Sequence, residues 1–173
     1  KRSLCLDLKA PEGKAAFMKL VAQADICVDN YAPGVLDRLG LGYDVLSREN
    51  PRLIYLAIKG YLPGPYEMRP SLDELAQMQG GLAFMTGPKG RPLRAGASVI
   101  DIGAATYGVI GLLAALHRRE QTGKGQMITS GLFETSVFWV GQWMARAVAT
   151  GEPSFPMAEI RSEEHTSELQ SPM

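Results

Sequence analysis

Residues 50–60 read Asn50-Pro51-Arg52-Leu53-Ile54-Tyr55-Leu56-Ala57-Ile58-Lys59-Gly60. Pro51 stops the helical pattern before it, and Leu53–Ile58 then runs apolar or aromatic with no polar alternation. A strand that is apolar on both faces must be covered on both faces, the condition of a buried parallel strand. Upstream, Ile26–Val28 predicts a short strand that ends in Asp29-Asn30-Tyr31-Ala32-Pro33-Gly34, a loop signal. Between the two lie a short helix around Val35–Leu39, stopped by Gly40, and another over roughly Tyr43–Arg48. Earlier still, Leu4, Leu6 and Leu8 alternate with smaller or polar neighbours, which predicts a half-buried strand over Ser3–Leu8. Pro11 then suits a helix first turn, and Phe17, Leu20, Val21 and Ala24 recur at helical spacing. Strand, helix, strand, helix, strand is the order of a parallel α/β sheet, so the fold class is α/β.

Beyond Gly60 the pattern changes. Tyr61–Pro70 is too rich in proline for a regular element, and Ser71-Leu72-Asp73-Glu74 matches a capping box opening a helix through Met78. Gly80-Gly81 ends that helix, and a glycine- and proline-rich segment without an element runs to Gly96. Ser98–Asp101 leads into a helix from Ile102 to Arg119, apolar on nearly every side and rich in Gly and Ala. Such a helix is expected to be buried and closely approached by other backbone. His117, Arg118 and Arg119 sit in its last turn, where the dipole favours cations, and Gly123 ends it. Gln126–Thr129 is a strand candidate and Leu132–Ala149 a final helix. Arg161–Ser171 reads RSEEHTSELQS, which matches the translation of a common sequencing adapter. Residues 1–160 are therefore expected to be the native part, truncated at both ends, and 161–173 a non-native tail in which His165 carries no functional weight.

Composition narrows the function classes. The chain has 173 residues, 46% of them apolar and 21% charged, the balance of an ordinary globular protein with a real core. Eighteen basic residues offset eighteen acidic ones, so no nucleic-acid or anionic-membrane partner is expected. Ile102–Leu116, the longest uncharged stretch, falls short of the roughly 20 apolar residues of a membrane span, so a soluble protein is expected. Cys5 and Cys27 lie in apolar runs and are expected to be buried free thiols in a reduced cytosol; no C-x-x-C or His spacing accompanies them.

Asp101 is the one strong candidate for chemistry. At the mouth of a long helix the dipole favours an ionised carboxylate. Val99, Ile100 and Ile102 are expected to keep water scarce there, and Gly103, Ala104 and Ala105 to leave room for a ligand. Covalent catalysis through an acyl-aspartate needs a poorly hydrated carboxylate of that kind. The competing account is that Asp101 merely caps the helix. The Asn30–Gly34 loop follows a strand, where open α/β sheets bind ligands, though an ordinary turn fits it as well. Arg38 and Lys59 are candidate phosphate partners. Thr122-Gly123-Lys124-Gly125-Gln126 lacks the full phosphate-loop pattern and reads as a helix-to-strand turn. No Ser/His/Asp arrangement, metal cluster or G-x-G-x-x-G is present in the sequence.

An ordered set of short motifs carries a resemblance. Lys1-Arg2-Ser3, Pro11-Glu12-Gly13-Lys14, Asn30-Tyr31-Ala32-Pro33-Gly34, Gly40-Leu41-Gly42-Tyr43 and Asn50-Pro51-Arg52-Leu53-Ile54-Tyr55 open it. Gly64-Pro65-Tyr66, Ala76-Gln77, Gly80-Gly81-Leu82, Leu112-Leu113-Ala114-Ala115-Leu116 and Thr122-Gly123-Lys124-Gly125-Gln126 follow. Together they resemble the class III CoA-transferases, formyl-CoA transferase and carnitine CoA-transferase among them, over residues 1–160. The resemblance implies a nucleotide-binding-like large domain, of which this chain is part, and two full-length subunits interlocked as a cytoplasmic homodimer. It implies that Asp101 is the catalytic nucleophile, forming an aspartyl-CoA thioester during exchange of CoA between an acyl-CoA and a carboxylic acid. CoA is then a substrate, and no further cofactor is expected. CoA contacts are implied at Leu6, Asp7, Leu8 and Lys9, at Asn30, Tyr31, Ala32 and Arg38, and at Pro70, Ser71, Leu72 and Asp73. Formyl-CoA transferase has an aromatic hydroxyl aligned with Asp73, so an ordinary first-turn acid is the simpler account of that residue.

Two rivals share the fold. Acyl-CoA racemases carry an aspartate at the position of Asp101 but also need a histidine base at or beside Ser71, and no His occurs from Lys1 to Leu116. A non-catalytic CoA-binding homologue is the other, and retention of Asp101 argues against it. The donor and acceptor acids are not legible in these residues.

Overall fold

The computed structural model describes residues 2–159. The described residues divide into two compact units, 2–71 with 103–131, and 72–102 with 132–159. The expected tail over 161–173, with His165, lies outside the described residues.

The first unit is built on a three-stranded parallel sheet, β1 (Ile26–Asp29), β2 (Ile54–Lys59) and β3 (Met127–Gly131), in the order β1-β2-β3. Ile26 pairs with Ile54 and Asp29 with Ala57, while Tyr55 pairs with Met127 and Lys59 with Gly131. β2 is the central strand, and its two faces explain why its sequence shows no alternation. Tyr55 and Ala57 join Val21, Leu36, Leu41, Leu46 and Leu53 in one buried cluster. Ile54 and Leu56 point the other way, into a cluster with Leu112 and Ala115. Helices α1 (Pro11–Val21), α2 (Val35–Arg38) and α3 (Tyr43–Glu49) belong to this unit. The expected α/β class and the parallel sheet are found.

Ser3–Leu8 is not a strand. Residues 2–7 form no regular element, and Leu4 is 65% exposed. Alternation gives a segment one apolar face, but a strand also needs a neighbour for its backbone N–H and C=O groups. Among the described residues β1 pairs only with β2, and no strand pairs with residues 3–8. The thiols differ from expectation too: both are free, but Cys5 is exposed and Cys27 only half-buried.

Helix α6 spans Val99–Thr122, longer at both ends than the expected Ile102–Arg119. By length and composition it could cross a membrane. One of its faces packs on the sheet instead. A Cβ placed on Gly108 would lie 2.8 Å from Leu56 Cδ2, and one on Gly111 2.9 Å from Ile128 Cγ2. The close approach expected from its glycines is therefore made by strand side chains rather than by backbone. Its other face is open, with Ile102, Val109, Ile110 and Leu113 exposed, so burial on all sides is not found among the described residues. Buried Arg119 anchors the far end, donating to the carbonyls of Asp25 and Arg52 and pairing with the Asp25 carboxylate at 2.9 Å.

The second unit holds α4 (Asp73–Gln79), α5 (Leu82–Thr86), α7 (Leu132–Thr150) and a 3₁₀ turn at Met157–Glu159. α4 packs on α5 and α7. Gly80 lies so close to Ser136 of α7 that any Cβ there would collide with the serine side chain. Helix α5 falls inside the segment expected to be irregular. It starts after Gly81, whose φ of 90° suits glycine alone, and ends at Gly87, so these breakers bracket a short element rather than replace one.

Candidate active site

Asp101 is the third residue of α6, not the residue before it, and its side chain is exposed. It is not the helix cap. Capping is done by Asp73, the first residue of α4, which is 3% exposed. Asp73 Oδ2 accepts the backbone N–H of Ile100 at 2.8 Å and of Asp101 at 3.1 Å. These are donors that the first turn of a helix cannot satisfy for itself. Gln77, one turn along α4, donates its amide to Asp73 Oδ1, and its carbonyl oxygen accepts the Ala95 N–H at 2.7 Å. Arg94 stands 3.9 Å from Asp73 Oδ1 and pairs with Glu74 at 3.3 Å. The capping box expected at Ser71–Glu74 is shifted: Leu72 occupies the cap position of α4, with no side-chain cap bond.

The electrostatics around Asp101 run opposite to the expected favouring of its ionised form. Partial burial of the carboxyl, then the negative charges of Asp73 and Glu74, push Asp101 above the ordinary carboxylate range, and Arg94 pulls it back. The expected dry collar is only half present. Ile100 is fully buried, but Ile102 is 61% exposed. Of the three small residues that follow, Gly103 and Ala104 are buried, the Ala104 carbonyl accepting the Ser130 hydroxyl at 2.7 Å, and Ala105 alone is exposed.

In the first unit, the loop after β1 is pinned by a residue that sequence reading assigned only to the loop. Asp29 is 5% exposed. Its Oδ1 accepts the Tyr31 N–H at 2.7 Å, and its Oδ2 accepts the Tyr55 hydroxyl at 2.9 Å and the Lys59 ammonium. Lys59 also donates to the Tyr31 carbonyl at 2.8 Å. The cation considered for phosphate is thus held by Asp29 and the loop backbone. The signal was present in sequence as an acid at the strand's end followed by Asn30 and Pro33-Gly34, an Asx-turn composition. Asn30, Tyr31, Ala32 and Arg38 are all exposed. Gly34 has φ 71°, and the Arg38 guanidinium lies 3.0 Å from where its Cβ would be. A cleft of about 220 Å³ opens here, lined by Asp29, Ala32, Gly34, Tyr43, Tyr55 and Lys59 among others.

The remaining expected CoA contacts fall at element ends. Asp7 closes a turn before α1, its carbonyl accepting the Ala10 N–H and its carboxylate the Lys9 N–H, and Gly13 packs onto its backbone. Leu6 and Leu8 flank it, half-buried. Ser71 sits against Gly60, just past β2, and Pro70 is exposed beside it. Leu6–Lys9, Asn30–Ala32, Arg38, Pro70 and Ser71 therefore belong to the first unit, and Leu72, Asp73 and Asp101 to the second. Thr122–Gln126 is a helix-to-strand turn as expected, with the Lys124 N–H on the Thr122 hydroxyl at 3.2 Å. Among the described residues no three His, Cys, Asp or Glu side chains are grouped to hold a metal.

Residues 1–166 match a family described as CoA-transferase family III. The chain is 48% identical over 141 residues to the succinyl-CoA–L-malate CoA-transferase beta subunit of Chloroflexus aurantiacus, covering 80% of this chain and 35% of that protein. It is 42% identical over 133 residues to a formyl-CoA:oxalate CoA-transferase of Rhodopseudomonas palustris, covering 76% of this chain and 31% of that protein. The chain thus spans about a third of the length of these curated relatives. Among solved structures, a CaiB/BaiF family protein from Brucella suis superposes with a TM-score of 0.86 at 36% identity, over 91% of this chain and 42% of the other. A hypothetical protein from Mycobacterium tuberculosis does so with a TM-score of 0.79 at 27% identity, over 86% and 42%.

Proposed function

The chain belongs to CoA-transferase family III, and we propose that it carries the nucleophile of an enzyme that moves coenzyme A from an acyl-CoA to a carboxylic acid. The observation that carries this reading is the placement of Asp101. It stands exposed in the first turn of α6 while Asp73 satisfies the turn's backbone donors, so its carboxylate is spare for chemistry.

The route runs in four displacements. Asp101 attacks the thioester carbonyl of the donor; the C–S bond breaks, leaving a mixed anhydride and CoA thiolate. Thiolate attacks the aspartyl carbonyl, the anhydride C–O bond breaks, and the donor acid leaves as its carboxylate. The acceptor carboxylate then attacks the aspartyl-CoA thioester and expels thiolate. Thiolate finally attacks the acceptor's acyl carbon, which frees Asp101 and forms the new acyl-CoA. One hard exchange becomes several easier covalent steps. CoA is a substrate in this scheme, which uses no further cofactor.

Leu6–Lys9, Asn30–Ala32, Arg38, Pro70, Ser71 and Leu72 are the proposed CoA contacts; the contact expected at Asp73 is not among them, because both oxygens of its buried carboxylate are already engaged. Support for the Asn30–Ala32 and Arg38 group comes from its position beyond the carboxyl end of β1. The reading extends to a cytoplasmic, interlocked homodimer of full-length chains, with no nucleic-acid or membrane partner, in keeping with eighteen basic and eighteen acidic residues. Replacement tests it in the full-length protein. Asp101→Ala is expected to lower kcat by on the order of 10³-fold or more. Arg38→Ala is expected to raise KM for acyl-CoA roughly 10- to 150-fold, equivalent to a loss of about 1.5–3 kcal/mol, the range of a charge-assisted phosphate contact, and to leave KM for the free acid near normal. Near-normal turnover of Asp101→Ala overturns the reading.

A further inference from the structure

We propose that Asp73 is a positioning residue for Asp101, holding the nucleophile's own main chain in place through the first turn of α6 while Gln77 and Arg94 hold Asp73. The inference rests on the reading of Asp101 as nucleophile and adds the residue through which the fold controls it.

Helix caps ordinarily come from the residue just ahead of the helix. Here the capping oxygen comes from α4, and the two donors it takes are the N–H of the nucleophile and that of its neighbour Ile100. A buried carboxylate is costly unless its lone pairs are engaged. Asp73 has two backbone donors on Oδ2 and the Gln77 amide on Oδ1. Gln77 is itself fully buried and fixed by Ala95, so the segment bearing Arg94 is joined to the same group. The Cα of Asp101 is thereby tied to α4, and so is the direction in which its side chain leaves the helix. A shift of the order of 1 Å in a reacting group can cost about 10²-fold in rate, which is what such a brace prevents.

The same arrangement sets charge. Asp73 and Glu74 of α4 bear on Asp101 with negative charge, and Arg94, from the segment between α5 and α6, bears on it with positive charge. Removing Asp73's charge favours the ionised, nucleophilic form of Asp101 even as it loosens the brace. Removing Arg94's charge favours the protonated form of Asp101.

The test is the pH profile of kcat/KM in the full-length protein, whose acidic limb reports ionisation of the nucleophile in the free enzyme. Asp73→Asn is expected to move that limb to lower pH and to lower kcat about tenfold or more, with KM for acyl-CoA within about twofold of normal. Arg94→Gln, at an exposed position where folding is safe, is expected to move the limb to higher pH. Hydroxylamine trapping of the wild-type protein, read by mass spectrometry, is run beside them. An adduct on Asp101 with both limbs unmoved overturns the positioning role alone. So does a raised KM for acyl-CoA with unchanged kcat in Asp73→Asn, which would make Asp73 a substrate contact. Absence of any adduct on Asp101 in the wild type overturns the nucleophile assignment, and this inference with it.

Discussion

The carboxylate of Asp73 accepts the backbone N–H of Asp101 at 3.1 Å, so an acid on α4 closes the first turn of the helix that carries the second acid. Both residues are aspartates near a helix start, where the account of a cap or an ordinary first-turn acid fits either. The fold separates them. Asp73 is buried and fully engaged, whereas Asp101 is largely exposed and is pushed above the ordinary carboxylate range first by partial burial of its carboxyl and then by the negative charges of Asp73 and Glu74.

Packing of α6 on the sheet depends on Gly108. A Cβ there meets the Leu56 side chain at 2.8 Å, and Leu56 is 2% exposed, so the side chain must shift within a packed core. Gly108→Ala is therefore expected to destabilise the protein by about 1–2 kcal/mol, as overpacking outweighs the gain in helix propensity. Gly141 in α7 has nothing within 4 Å of its Cβ position, and Gly141→Ala is expected to stabilise by about 0.5–1 kcal/mol. Urea midpoints of the two variants check the pair; a shift in the same direction for both contradicts the packing account.

Cys27 is pushed up to about 11, first by burial and then by the charge of Asp29. A raised thiol pKa means less thiolate at a given pH, and at pH 8 only about one part in a thousand is reactive. Iodoacetamide at pH 8 should label exposed Cys5 well before Cys27, with Cys27 labelling rising tenfold per pH unit until near its pKa. Peptide mass spectrometry over a pH series reads this. Faster labelling of Cys27 than of Cys5 contradicts the placement of β1.

The Asp29 network predicts a coupled loss. Asp29→Ala leaves the Tyr55 hydroxyl without this acceptor, strips the Lys59 ammonium of its carboxylate so that the Tyr31 carbonyl remains, and frees the Tyr31 N–H. Stability should fall on the order of 2–3 kcal/mol, the cost of unpaired, partly buried polar groups. Through the loosened loop, KM for acyl-CoA should rise as well. Lys59→Met in the Asp29→Ala background should recover part of the stability but not the KM. Full recovery of both would show that the loop needs only a neutral neighbour.

How much of this was legible in the sequence follows from the range of the interactions involved. β2 was readable because its burial on two faces is written in consecutive residues, Leu53–Ile58. Helices α1, α2 and α3 were readable because Pro11, Gly40 and Pro51 punctuate them locally. Ser3–Leu8 was misread because alternation says nothing about whether a neighbouring strand exists. Asp101 was found through its place at the start of a long apolar helix, but the cap on that helix lies 28 residues away in sequence, beyond any local motif. Gln77 and Arg94 were missed for the same reason. The exposure of Ile102 and Ala105 was missed because apolar composition predicts burial without naming the surface that provides it.

The central claim is that Asp101 forms a covalent intermediate. Full-length protein is incubated with an acyl-CoA, quenched with hydroxylamine, and digested for mass spectrometry. The account predicts a single hydroxamate on the peptide containing Asp101, dependent on acyl-CoA and absent from Asp101→Asn, which should still bind CoA. Modification at another carboxylate, or turnover of the Asp101→Asn protein at near wild-type rate, would contradict it.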